Sequence, residues 1–369
     1  MEQTNKNKVM QFLRGKQYPF IAIGVALLIS GCIIKAMGFD PFLALKSLLS
    51  GALGTTNAWG ETLIKMIPLI FTALSFSVAM KSGIVNLGAT GQVYIGSLAG
   101  TLIATNFAGL PAIIHIPLAL IAGMAAGGAY GWLAIALKNK FGANELVTTI
   151  MLNYIAIQFV NYMVSDPIRD YGATTALPQS RMVTDTAVLT KIIPNTRLHI
   201  GLFIAIAALI LYYILFWHTT KGYELKVTGL SQSVSKYAGM NVKKNQTISM
   251  VMAGALAGMC GVIEILAIQS RITQDWAGDI GFDGVAVALL GGNTPVGIGL
   301  SAFLFGMLSS GANKMQMMAK VPNAVIYLVQ GLVVLFVVGR NIFIWKSKKK
   351  NEKKIEKMKQ AVHKEQVEV

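Results

Sequence analysis

The chain has 369 residues, 54% of them hydrophobic and only 13% charged, with a formal net charge of +16. Soluble domains carry about 25% charged residues, so the composition excludes an ordinary soluble protein. The apolar residues form continuous runs near the ~20 residues that a helix needs to cross hydrocarbon, without the alternation of a membrane barrel. The basic excess sits mostly in short loops and one tail; the positive-inside rule explains it, and no nucleic-acid partner is expected.

In chain order, Lys6, Lys8, Arg14 and Lys16 precede an apolar run, Pro19–Ile34, that contains Leu28-Ile29-Ser30-Gly31-Cys32. This can be read as a lipoprotein cleavage site or as an uncleaved first span; the number of later spans favours the span. Further apolar candidates are Met66–Met80, Leu87–Ala104, Pro111–Leu137, Leu146–Val164, Ile200–Trp217, Ile248–Ile268, Ile280–Leu290, Val296–Leu308 and Ala324–Val338. Ile280–Leu290 is short for a crossing, and parity decides it. A basic N-terminus and a tail carrying Lys346, Lys348, Lys349, Lys350, Lys353 and Lys354 both belong on the cytoplasmic side, which requires an even number of spans. The expectation is an all-α polytopic protein of about ten transmembrane helices with both termini cytoplasmic. It divides into a cytoplasmic N-terminus (1–18), a permease domain (19–345) with an extracellular loop (165–199) and a cytoplasmic loop (219–246), and a basic cytoplasmic tail (346–369).

Two glycine-rich polar elements interrupt the apolar stretches: Asn86-Leu87-Gly88-Ala89-Thr90-Gly91 and Asp279-Ile280-Gly281-Phe282-Asp283-Gly284. Both read [Asn/Asp]-[Leu/Ile]-Gly-x-x-Gly. Spans two to five and seven to ten form two sets of four that start on opposite sides, so the breaks approach the membrane middle from opposite faces, as in inverted-repeat transporters. Unwound backbone at that depth has to line protein or a cavity, because lipid offers no hydrogen bonds. Asn86, Thr90 and Gln92 at the first break, Asn153 in span five and Asp283 at the second break are therefore candidates for a solute path. Each can equally be an interhelical lock. Neutral amides and hydroxyls suit a neutral polar solute. Asn161 lies two turns from Asn153 on the same face. Glu264 falls late in span seven, where water can hydrate it. Gly123, Gly127 and Gly131 repeat at four-residue spacing, the pattern of close helix packing.

No phosphate-cradling Gly-x-x-x-x-Gly-Lys-Ser/Thr sequence, nucleophile elbow or metalloprotease helix occurs, and the histidines and cysteines are scattered. An enzyme is not expected, nor are a cofactor and a bound metal. The informative polar segment is Thr219–Asn245. Val234, Tyr237 and Ala238 fall at helical spacing, with Ser233, Ser235 and Lys236 on the other faces; Ser231 can cap this short helix and Gly239 can stop it.

Gly222, Lys226, Gly229, Ser231, Ser235, Gly239, Met240 and Asn241 fill a frame that resembles the cytoplasmic loop of ABC-transporter permeases of the branched-chain amino acid and ribose class. Gly83–Gln92, Ala143–Tyr154 and Gly281–Gly291 resemble the nucleoside branch of that family. Thr90 stands where the first motif usually has Glu. The resemblance implies the permease subunit of an ATP-driven importer in the bacterial plasma membrane, with a nucleoside as the first choice of solute and sugars or branched-chain amino acids as alternatives. It implies an ATP-binding subunit docked on a coupling helix, carried here to Gln232, Ser235, Lys236, Tyr237 and Gly239. It also implies a second permease, identical or related, an extracellular substrate-binding lipoprotein, and membrane lipid around the spans. The residues by themselves leave open a stand-alone, ion-coupled secondary transporter.

Overall fold

The computed structural model describes residues 18–107, 109–172, 177–194, 196–322, 324–325, 327–332 and 334–336. The N-terminal basic cluster and the lysine-rich tail lie outside the described residues, and the tenth predicted span only partly within them. The described residues are helical, with isolated bridges in place of strands. Among the described residues, six helices are long and apolar enough to cross a membrane, and shorter apolar helices accompany them. This is a multi-pass membrane protein.

The chain divides into two units, 1–47 with 312–369, and 48–311. In the first, helix α1 (Tyr18–Ala36) ends in a turn at Gly38, where φ is +86°. Asp40 then caps α2 (Pro41–Leu53), its Oδ1 accepting from the Phe42 and Leu43 amides at 2.9 and 3.3 Å. An acidic cap followed by proline is a strong helix start. The sequence reading had no element here, because this helix is too short for a span.

The second unit is built around α3 (Thr56–Lys81). Thr55 caps it, and every residue from Ile67 to Ala79 is buried, so the helix is enclosed on all sides. It begins well before the expected Met66, because Glu61 and Lys65 broke the apolar run without ending the helix. Pro68 lies inside it. After Gly83 (φ +78°) the chain stays irregular to Gly88, and α4 (Ala89–Asn106) follows. Next come α5 (Ala112–Phe141) and α6 (Glu145–Ser165), a long connecting segment, α7 (Gly201–His218), two polar helices α8 (Thr220–Leu230) and α9 (Gln232–Tyr237), and α10 (Val242–Glu264). A π turn, Ile265–Gln269, continues α10; α11 (Ile280–Leu290) and α12 (Pro295–Ala319) complete the series.

Glycines set the spacing of the central layer. A β-carbon on Gly127 would lie 2.4 Å from the Gly254 carbonyl oxygen, one on Gly258 2.2 Å from that of Gly123, and one on Gly96 2.3 Å from the Gly258 Cα. Helices α4 and α5 therefore meet α10 backbone to backbone, as the four-residue spacing predicted. Close approach of this kind replaces the hydrophobic driving force that is missing between helices in lipid.

The loop before α7 folds back on the end of α10. The Leu189 amide donates to the Leu266 carbonyl at 3.0 Å, and Val183 to Ser270 at 2.9 Å. Carbonyls released by the π turn thus find partners. Arg197 forks onto Glu61, with Nε to Oε1 at 2.9 Å and Nη2 to Oε2 at 2.7 Å.

Candidate functional site

At the first break the chain leaves α3 and restarts at α4 without a side-chain cap from its own N-cap residue, Gly88. The orphan amides of a helix start need acceptors, and two asparagines supply them. Asn86 Oδ1 accepts from the Gly88 amide at 2.9 Å, and Asn153 Oδ1, reaching from α6, accepts from the Gly91 amide at 2.8 Å. Asn153 Nδ2 also donates to the Leu87 carbonyl at 2.8 Å, so one amide side chain clamps both sides of the break. Asn86 Nδ2 donates to Gln92 Oε1 at 3.0 Å and to Ser75 Oγ at 3.2 Å. Asn86 is fully buried, and Gln92 and Asn153 nearly so. The three amides found in the sequence form one network. Ser75 belongs to it too, and only its place on the buried helix reveals that.

Thr90 is different: it is buried, and its Oγ1 has no hydrogen-bond partner. It lies against the second break, where a β-carbon on Gly281 would come 2.3 Å from Thr90 Oγ1. One turn on, a β-carbon on Gly284 would lie 2.2 Å from Thr72 Oγ1 of α3. The two glycine-rich elements touch at Gly281, and Gly284 packs the second against α3. Asp283 sits between them in the first turn of α11, half-buried, with Asp279 as a nearby like charge.

The segment leading to the second break is tied down from above. Asn161 and Asp275 exchange bonds, Asn161 Nδ2 to Asp275 Oδ1 at 3.0 Å and the Asp275 amide to Asn161 Oδ1 at 3.2 Å. Tyr94 Oη accepts from the Ala277 amide at 3.2 Å, and its ring lies 5.8 Å from that of Trp276. Helix α6 therefore holds the first break with Asn153 and the approach to the second with Asn161. Tyr94 gave no signal in the sequence, since an aromatic in an apolar helix looks like core.

Residues 219–246 fold into α8, α9 and the first turn of α10. Thr219 caps α8, with its Oγ1 accepting from the Gly222 amide at 3.0 Å, and Ser231 caps α9 through the Val234 amide at 3.4 Å. Gly239, at φ +76°, stops α9, as its position predicted. The burial pattern reverses what hydrophobicity suggests. Ser235 is the fully buried residue of α9, bonded to Thr228 Oγ1 at 3.1 Å, and Asn245 Nδ2 donates to the same Thr228 oxygen at 3.1 Å. Val234 and Tyr237 face outward, Tyr237 being 94% exposed, with Leu230 at 87% beside them. Gln232, Lys236 and Gly239 are exposed as well. A polar pin on the inside leaves an apolar patch on the outside. The base is anchored by close approach, because a β-carbon on Gly229 would lie 2.3 Å from the Lys81 carbonyl oxygen at the end of α3.

The family described as the permease component of the branched-chain amino acid transport system matches residues 59–338. The chain is 38% identical over 326 residues to the nucleoside ABC transporter permease protein NupB of Lactococcus lactis, covering 86% of this chain and 89% of NupB. It is 37% identical to the guanosine ABC transporter permease protein NupP of Bacillus subtilis, covering 86% of this chain and 92% of NupP. It is 30% identical to the glucose ABC transporter permease protein TsgB13 of Haloferax volcanii, over 88% of this chain and 87% of that one. Membership implies an ATP-binding subunit and a substrate-binding protein as partners, and it sets aside the ion-coupled alternative. With its paired breaks and its pinned polar helix α9, the chain belongs to this family of ABC-transporter permeases, transport subunits and not enzymes.

Proposed function

We propose that this permease imports nucleosides. The observation that carries the reading is the 38% and 37% identity to nucleoside and guanosine permeases along most of the chain. It agrees with the uncharged polar character of Asn86, Thr90, Gln92 and Asn153 around the break. In this reading Thr90 Oγ1 and the Asp283 carboxylate are the groups with bonding capacity left for solute when the breaks part, while Asn86, Gln92 and Asn153 shape the backbone that solute passes. The chain crosses the bacterial plasma membrane about ten times as two inverted halves, with both termini, 1–18 and 346–369, in the cytoplasm around a 19–345 permease domain. A second permease, identical or related, completes the path, and an extracellular lipoprotein delivers the solute near the 165–199 loop.

The ATP-binding subunit docks on the 219–246 segment. Val234 and Tyr237, with Leu230, offer it the apolar patch, and Gln232, Lys236 and Gly239 the polar rim; Ser235 acts from the inside by holding α9 in place. The transmission route is short. Movement of α9 passes through the Thr228–Ser235 bond to α8, through Gly229 to the end of α3, and so to the break at Asn86. Two access states that differ in these contacts are shifted when the ATPase closes.

Two experiments test the reading. Uptake by proteoliposomes holding the chain with its ATPase and second permease, supplied with the binding protein and ATP, is expected for guanosine; saturable uptake confined to glucose or leucine refutes the nucleoside assignment. A Tyr237→Asp, Gly239→Trp double variant is expected to lose the ATPase in pull-down, and full-stoichiometry recovery defeats the docking claim.

A further inference from the structure

Glu264 is 8% exposed at the end of α10, and the helix turns to π geometry at the next residue. Among the described residues no hydrogen bond or ion pair reaches its carboxylate. The surroundings are fixed by neighbours one turn away. Cys260 Sγ points at the Pro68 carbonyl at 3.7 Å, so the face of α10 that bears residues 260 and 264 looks onto α3 between Lys65 and Pro68. Here the all-round burial of α3 ends: Ile67 is buried, Met66 half-buried and Lys65 exposed.

Both helices are irregular at this level. Pro68 has no amide hydrogen, which leaves the Ile64 carbonyl without its usual helical donor. The π turn closes α10 at the left-handed Ser270, so regular helix backbone ends directly after Glu264. A carboxylate buried between two membrane helices is costly without a partner, so Glu264 calls for water or a ligand. A buried carboxylate without a donor has acceptor capacity to spare and can take two hydroxyls at once.

We propose that Glu264 is a recognition site in the solute path for the vicinal hydroxyls of a nucleoside's ribose. The inference rests on the nucleoside reading and adds the group of the solute that is read. It places recognition on α10 and α3, apart from the glycine breaks.

The test compares uptake of guanosine with that of 2′,3′-dideoxyguanosine by the complete transporter in proteoliposomes, for wild type, Glu264→Gln and Glu264→Asp. Wild type is expected to prefer guanosine by at least about tenfold in kcat/KM, since a site that binds a hydroxyl rejects the analogue lacking it. Glu264→Gln is expected to lose most of that preference by losing guanosine uptake, with dideoxyguanosine uptake retained. Glu264→Asp keeps the charge but withdraws the oxygens, and is expected to lower guanosine uptake selectively; it guards against a folding defect in the glutamine variant. An unchanged guanosine-to-dideoxyguanosine ratio in either variant, or an equal loss of both solutes, overturns the assignment. Wild-type transporter that carries no guanosine sinks the nucleoside reading itself, a distinct result.

Discussion

Replacing Asn153 by leucine isolates the clamp on the first break. The substitution keeps the size of the side chain and removes two bonds of 2.8 Å, to the Gly91 amide and to the Leu87 carbonyl. Each bond contributes about 0.5–1.5 kcal/mol net, and a buried amide left without an acceptor costs roughly 1–3 kcal/mol. Interhelical bonds inside membrane proteins average nearer 0.6 kcal/mol, since the unfolded chain also finds partners there. These bounds place the loss at about 2 kcal/mol, or an apparent melting temperature lower by roughly 4–8 °C on the scale of a 150–250-residue domain. The protein carries its own reporter. Cys260 is free and buried, so a thiol-reactive fluorophore reaches it on unfolding, and exposed Cys32 is changed to serine to remove the background. Asn153→Asp sharpens the test: it keeps an acceptor for Gly91 but sets a carboxylate oxygen against the Leu87 carbonyl, so it should fall at least as far as the leucine variant. A leucine variant that melts within a degree of the parent, or an aspartate variant that is the more stable, refutes the clamp.

Further outcomes follow from other parts of the structure. His199, in the segment just before α7, accepts from the Gly201 amide at Nδ1 and is buried, and burial pushes its pKa down from the usual 6.5 to about 4. The unfolded chain then takes up a proton between pH 6.5 and 4 that the folded protein refuses, so stability falls across that window as pH drops and levels below it, by roughly 2–3 kcal/mol; His199→Gln should flatten the melting-temperature profile between those values. Gly258→Leu drives a side chain into the Gly123 carbonyl, and because backbone on two helices has to move, the loss should exceed the ~1–3 kcal/mol of ordinary overpacking; size-exclusion chromatography in detergent should show no monodisperse peak. Ser235→Val breaks the bond to Thr228 while leaving the exposed patch of α9 untouched; the expected result is several-fold weaker ATPase binding in pull-down with near-normal expression. Arg197→Ala removes a fork onto Glu61 that is open to solvent, so it should cost under about 1 kcal/mol in the same melting assay.

The sequence by itself determined what depends on composition and short-range spacing. Continuous apolar runs required membrane helices, the glycine-rich breaks announced themselves by their polar, flexible character, and Ser231 and Gly239 marked both ends of α9 because capping is a local matter. The four-residue glycine spacing in α5 forecast its close packing for the same reason. Tertiary structure decided which way each side chain faces and what it meets. Spacing put Val234 and Tyr237 on one face of α9 but not where that face points; a polar pin from Thr228 buries Ser235 and turns the apolar residues out. Asn153 and Gln92 looked alike as path residues; the fold uses both to hold the break, and leaves Thr90 Oγ1 unpaired against Gly281. Glu264 read as a hydrated residue near a helix end, and only the packing of α10 on α3 shows it buried. Such partners lie tens to hundreds of residues apart in the chain, and no local pattern records which of them the folded helices bring together.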